Sequence, residues 1–116
     1  MREEGGANAG PAATSYSDHR PYPAPPEHWN DLAGPVTGHL ELPRSMDWGP
    51  PRTYDLADPT DRCILYERVL REASGSEELC AWVHGPSLAA LWARLWLPQR
   101  VRDAWEDRFP ELRSVA

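Results

Sequence analysis

Cys80 and His84 stand four positions apart in a stretch with helical patterning, which would put both side chains on one helix face and within reach of one metal ion. A closed structural zinc site takes four ligands, and the candidates to complete this one, Cys63 and His39, are distant. The expectation is therefore no metal and no cofactor. His84 is expected near a helix end, where partial positive charge suits the dipole, and Cys63 and Cys80 as small apolar fillers in a reducing compartment. The acidic pairs Glu77-Glu78 and Glu106-Asp107 invite an acid-base reading, but adjacent helix positions point away from each other, so these are expected to be solvated faces. No G-x-S-x-G or G-x-G-x-x-G is present. All twelve basic residues are arginine, so the chain lacks a Schiff-base lysine, a phosphate-loop lysine and a serine-lysine pair. No enzymatic function is expected.

The chemistry that remains is recognition. The 116 residues hold six tryptophans, and Trp82, Trp92, Trp96 and Trp105 fall in the C-terminal half, where so small a core can hardly enclose all four. Tryptophan and arginine dominate interface hot spots. The candidate partner-binding residues are Arg44, Asp47, Trp48 and Arg52 in an extended arm, and Trp96, Arg100 and Trp105 around a helix corner; the alternative is that the tryptophans simply build the core. Trp96 is the first candidate, because it sits beside Leu97 and Arg100 at the corner.

These residues must be held by helices. Leu88, Leu91, Trp92, Leu95 and Trp96 recur at the spacing of one apolar helix face, Pro98 stops that helix, and Val101, Ala104, Trp105 and Phe109 repeat the pattern up to Pro110. Upstream, Asp58-Pro59 with Asp61 predicts an N-cap, a first-turn proline and a dipole-compensating carboxylate for a helix reaching about Ala73, with Glu67 pairing with Arg71. Ser76 is expected to cap a second short helix that Gly85 closes, and Pro86 to open the third. The predicted fold is all-α, a small bundle of about four short helices.

Nine of the thirteen prolines and six of the eight glycines precede Thr53. Such composition buries too little apolar surface to offset ordering entropy. Residues 1-41 are thus predicted to be a disordered arm, 42-57 an extended segment lying on the helices, and 58-112 the helical interaction domain. Val36 to Leu42 could form a short strand, but with nothing to pair with. A domain this small is marginal alone, which favours a partner or self-association.

The net charge of -6 is spread over both halves without a basic cluster, so nucleic acid is a poor partner. A helix-turn-helix regulator is the rival reading, with Gly85-Pro86 as the turn, although only Ser87 and Arg94 on Ser87–Trp96 could read a base edge. No apolar run approaches a membrane span, and a cytoplasmic location is expected.

Leu42 to Leu112 resembles a family of small bacterial proteins encoded beside AbiEii-type nucleotidyltransferases. The resemblance is carried by the YDL-x-D-P segment at Tyr54 to Pro59, the LYE-x-VL helix at Leu65 to Leu70 and the LP-x-x-VR-x-AW corner at Leu97 to Trp105. It implies an antitoxin-like protein that binds a partner nucleotidyltransferase toxin and restrains its action on tRNA. An acidic binder suits an enzyme whose substrate site must be basic.

Overall fold

The computed structural model describes residues 22–47 and 49–115, and over these the fold is all-α with one small two-stranded sheet. Helix α1, Pro59–Glu72, starts as its sequence dictates: the Asp58 carboxylate accepts from the Thr60 N–H at 3.0 Å and Pro59 occupies the first turn. Cys63, Leu65, Tyr66, Val69 and Leu70 form its buried face. The expected Glu67–Arg71 pairing is different in kind. Arg71 Nε donates to the Glu67 backbone carbonyl at 3.1 Å, and the Glu67 carboxylate is used elsewhere.

Helix α2, Ser76–Trp82, is not capped by Ser76, which is its first residue. The turn is instead closed by Glu78, whose carboxylate accepts from the Ser74 N–H at 2.7 Å and from the Ser74 hydroxyl at 3.0 Å. Helix α3 covers Gly85–Leu91, and α4 covers Gln99–Arg108. His84 does lie at a helix end, but at the start of α3, where its Nδ1 accepts from the Ser87 N–H at 3.4 Å. There it works as a capping acceptor, at the opposite end of a helix from the one the dipole argument predicts.

The third helix is shorter than its apolar periodicity predicts. After Leu91 the chain tightens into a 3-10 turn at Trp92–Arg94 and is extended by Leu95, with ψ of 141°. Pro98 pushes the residue before it out of helical conformation, and side chains satisfy the backbone groups the helix would have paired. Arg102 Nη2 donates to the carbonyls of Trp92 at 3.0 Å and Leu95 at 2.6 Å, so the helix can stop without burying unpaired oxygens.

Order also begins well before residue 42, which corrects the 1–41 boundary of the predicted arm; residues 1–21 lie outside the described residues. A 3-10 turn at Trp29–Asp31 leads into Leu32, which is 3% exposed. Ala33 N–H donates to the Cys80 carbonyl at 3.1 Å, Gly34 N–H to Val83 at 2.9 Å, and Gly85 N–H to Leu32 at 3.1 Å. This strap needs glycine at residue 34, because a Cβ there would come 2.3 Å from the Trp82 carbonyl carbon. Arg108 donates to the carbonyls of Pro26 at 3.4 Å and Glu27 at 3.2 Å, and the Trp29 ring meets Phe109 edge-on at 5.1 Å. Composition missed this because the ordering comes from three backbone bonds to α2 and the α2–α3 turn, the Arg108 bonds, and a few scattered apolar side chains, Tyr22, Trp29 and Leu32, that pack on the core.

The suspected strand does have a partner. Strand β1, His39–Leu40, pairs antiparallel with β2, Tyr54–Asp55, matching His39 to Asp55 and Leu40 to Tyr54. Gly38 enters this pair at φ 96°, and its carbonyl accepts from the Leu56 N–H at 2.9 Å. The core lies beneath sheet and strap. Its largest enclosed side chains include Trp92, Trp105, Tyr54, Tyr66 and Met46, with the Trp92 and Trp105 rings 6.3 Å apart. No described helix is long and apolar enough to cross a membrane.

Candidate partner-binding site

Trp96 sits where α3 has ended and α4 has not begun. Its neighbour Leu95 is buried at 4% exposure and anchors the segment, while the Trp96 side chain is 86% exposed. The backbone around it is held from both sides. The Trp96 N–H donates to Glu67 Oε2 on α1 at 2.8 Å, and the Leu95 carbonyl accepts from Arg102 on α4. Arg102 also stacks on the Trp92 ring at 5.0 Å, and Trp92 Nε1 donates to Glu106 at 2.9 Å, which fixes the indole beneath the corner. The result is a rigid backbone displaying a solvated indole.

Two other predicted corner residues fare differently. Trp105 is fully enclosed, at 0% exposure between Trp92 and Phe109, and is withdrawn from the partner surface. Its place on the face with Val101 and Phe109 made it core all along; its indole N–H is buried without a hydrogen-bond partner. Arg100 remains at the surface, its guanidinium 5.2 Å from the Tyr22 ring centroid.

In the arm, Arg44, Asp47 and Arg52 come together around a cleft of about 150 Å³, and Trp48 lies outside the described residues. Arg44 is exposed, but the other two already have intramolecular work. Tyr54 Oη donates to Asp47 Oδ2 at 3.0 Å, with Arg68 4.0 Å from the same carboxylate. Arg52 pairs with Asp61 at 3.0 Å and lies 4.7 Å over the Tyr54 ring. Burial, and then the Asp47 carboxylate, raises the Tyr54 hydroxyl above its ordinary value. The Asp55 N–H, and then Arg52, hold the Asp61 carboxyl below its own. These contacts identify the arm chiefly as a brace between β2 and α1.

Among the described residues no cluster of three or more His, Cys, Asp or Glu stands ready to hold a metal ion. Cys63 and Cys80 are free thiols, and burial raises both above the ordinary thiol value, away from the reactive thiolate. Of the two side chains offered for reading bases, Ser87 is held by His84, its hydroxyl 2.9 Å from Nδ1, and Arg94 lies beyond α3 in the 3-10 turn. Sequence reasoning missed Glu67, Arg102 and Tyr22. Periodicity puts Arg102 off the apolar face of Val101, Trp105 and Phe109 but does not reveal which carbonyls a broken helix leaves open.

Comparison with protein-family models, with curated proteins and with solved structures gives no match.

Proposed function

We propose that this chain is a non-enzymatic protein-interaction module that binds its partner through the α3–α4 corner, with Trp96 as the anchor. One observation carries the reading: a tryptophan 86% exposed on a backbone that Glu67 and Arg102 have already immobilised. An indole buried on binding removes roughly 150–250 Å² from water, about 4–6 kcal/mol at about 25 cal/mol per Å². Ordering a flexible loop would offset that by roughly 1–2 kcal/mol per residue, and at this corner folding has largely met that cost. Only the two side-chain torsions of the indole remain to be fixed.

The proposed partner is a nucleotidyltransferase that modifies tRNA, restrained in the manner of an antitoxin. The corner supports binding as such, and the partner class rests on the resemblance of Leu42 to Leu112. The acidic chain, at net charge -6, complements the basic surface such an enzyme requires. Co-purification of the full chain with a tagged nucleotidyltransferase encoded beside it tests the reading, with inhibition of tRNA modification as the second readout. A stable complex lost in Trp96→Ala is expected. Absence of that complex, together with salt-sensitive retention on promoter DNA, would replace this reading by the helix-turn-helix regulator.

A further inference from the structure

His84 sits where the strap, α1, α2 and α3 meet. Its backbone bridges Ala33 of the strap in antiparallel fashion, and the strap bonds from Ala33 to Cys80, from Gly34 to Val83 and from Gly85 to Leu32 lie on either side of it. From α1 comes the hydroxyl of Tyr66, a side chain with 0% exposure. It accepts from the His84 backbone N–H at 3.3 Å and is also bonded to the Ser87 hydroxyl. Ser87 Oγ in turn lies 2.9 Å from His84 Nδ1. Tyr66, Ser87 and His84 therefore form a closed circuit of hydrogen bonds beneath the strap.

The direction of each bond follows from its donors. A backbone N–H can only donate, and the Ser87 N–H points at Nδ1 from 3.4 Å, so Nδ1 presents its lone pair and the single ring proton is on Nε2. The Ser87 hydroxyl then donates to Nδ1, the Tyr66 hydroxyl to Ser87 Oγ, and the His84 N–H to Tyr66 Oη, which gives every proton an acceptor. A proton taken from water onto Nδ1 reverses the circuit. Nδ1–H now donates to Ser87 Oγ and the Ser87 hydroxyl to Tyr66 Oη. Tyr66 receives two donors and its own proton is stranded in the interior, which is costly for a buried hydroxyl. The Ser87 N–H loses its acceptor as well.

We propose that His84 is a proton-sensitive pin for the strap: the neutral ring holds Trp29 to Gly34 on the α2–α3 turn, and the protonated ring releases them. Histidine is the side chain whose charge changes between about pH 5 and pH 8, so attachment is complete at the upper end of that range and lost as pH falls. Trp29, which packs on Phe109 and against Gly85, moves with the strap. Burial raises both the Tyr66 hydroxyl of α1 and the Cys80 thiol of α2, so neither titrates in this range. Arg62 on α1 acts on Tyr66, and Asp31 on the strap acts on Cys80. The C-terminal 3-10 turn Pro110–Val115, which packs on α3, brings Glu111 and Arg113. These charges bias the ring's own charge but leave unchanged which form of the ring closes the circuit.

Amide hydrogen exchange of the full chain, followed by NMR from about pH 7.5 to about pH 5, is the test, with rates corrected for intrinsic exchange and the α1 amides as internal reference. Protection of the Ala33, Gly34 and Gly85 amides is expected to fall about tenfold over that range while α1 holds. His84→Asn puts Oδ1 where Nδ1 stands, keeps a capping acceptor and does not titrate, so its strap protection is expected to stay flat. Tyr66→Phe removes the proton that becomes stranded; it is expected to shrink the response, and it serves should His84→Asn fail to fold. A long-range proton–nitrogen correlation spectrum at about pH 7.5 is expected to show the His84 ring protonated on Nε2. A ring protonated on Nδ1, flat strap protection in the wild type, or a His84→Asn variant responding as the wild type does overturns the inference; the last result would hand the response to His28 or His39. No readout involves a partner, so the outcome is separate from the proposed function.

Discussion

At the α3–α4 corner, charged side chains grip the backbone and leave an aromatic ring in solvent. In the arm from Leu42 to Arg52, charged side chains grip an aromatic ring and leave the backbone to its prolines. Glu67 and Arg102 hold the main chain on either side of an exposed Trp96, while Asp47 and Arg52 hold Tyr54, which is 1% exposed. The same residue types thus build opposite things. A ring whose neighbours are locked but whose face is wet retains its burial energy for a partner, whereas a ring enclosed by its own chain has contributed that energy to folding.

The contrast is broken most forcefully within the corner itself. Trp105→Ala should lower stability by about 3–5 kcal/mol, as large-to-small core changes do, measured by urea denaturation. Trp105→Phe should lose much less, because it keeps a ring between Trp92 and Phe109 and removes an indole N–H that has no partner. Trp96→Ala should instead leave stability within about 0.5 kcal/mol and weaken partner binding by about 2 kcal/mol or more, roughly thirtyfold by titration calorimetry. If Trp96→Ala unfolds the protein, the corner belongs to the core and the contrast disappears.

The arm should respond more quietly. Tyr54→Phe deletes the hydroxyl that donates to Asp47 and should cost about 1 kcal/mol of stability with the partner affinity unchanged, as a brace requires. An affinity loss there larger than the stability loss would place the arm in the binding surface. The smallest effect is expected at Asp61, whose carboxyl is held below its ordinary value of 3.8 by the Asp55 N–H and Arg52. A depressed carboxyl stabilises the fold fully above its unfolded value and loses that contribution as pH falls through the lower folded value. Denaturation midpoints at about pH 7 and about pH 3 should therefore differ less in Asp61→Asn than in the wild type, by a margin that solvent screening keeps small.

Some of this was legible in the chain. The start of α1 follows from Asp58-Pro59 alone, since a short carboxylate before a first-turn proline leaves the backbone little choice. The end of α4 before Pro110 is equally local. Leu88, Leu91, Trp92 and Leu95 as core came from spacing, and the corner beside Leu97 and Arg100 set Trp96, which is exposed, apart from them. Trp105 was misassigned by closeness to the corner, although its own periodicity with Val101 and Phe109 already put it inside.

The order of the strap was not legible, because its prolines and glycines argue for disorder and its ordering contacts lie some fifty to eighty residues away, at Cys80, Val83 and Arg108. Composition reports how much apolar surface a segment offers, and not whether a distant turn leaves backbone groups for it to pair with. Helix count and the start of α1 are set by interactions within three or four residues, so the sequence by itself determined them. Where α3 stops and which tryptophan is left outside depend on Glu67 and Arg102 reaching across from other helices, what the N-terminal segment covers depends on Cys80, Val83 and Arg108, and only the tertiary structure decided those.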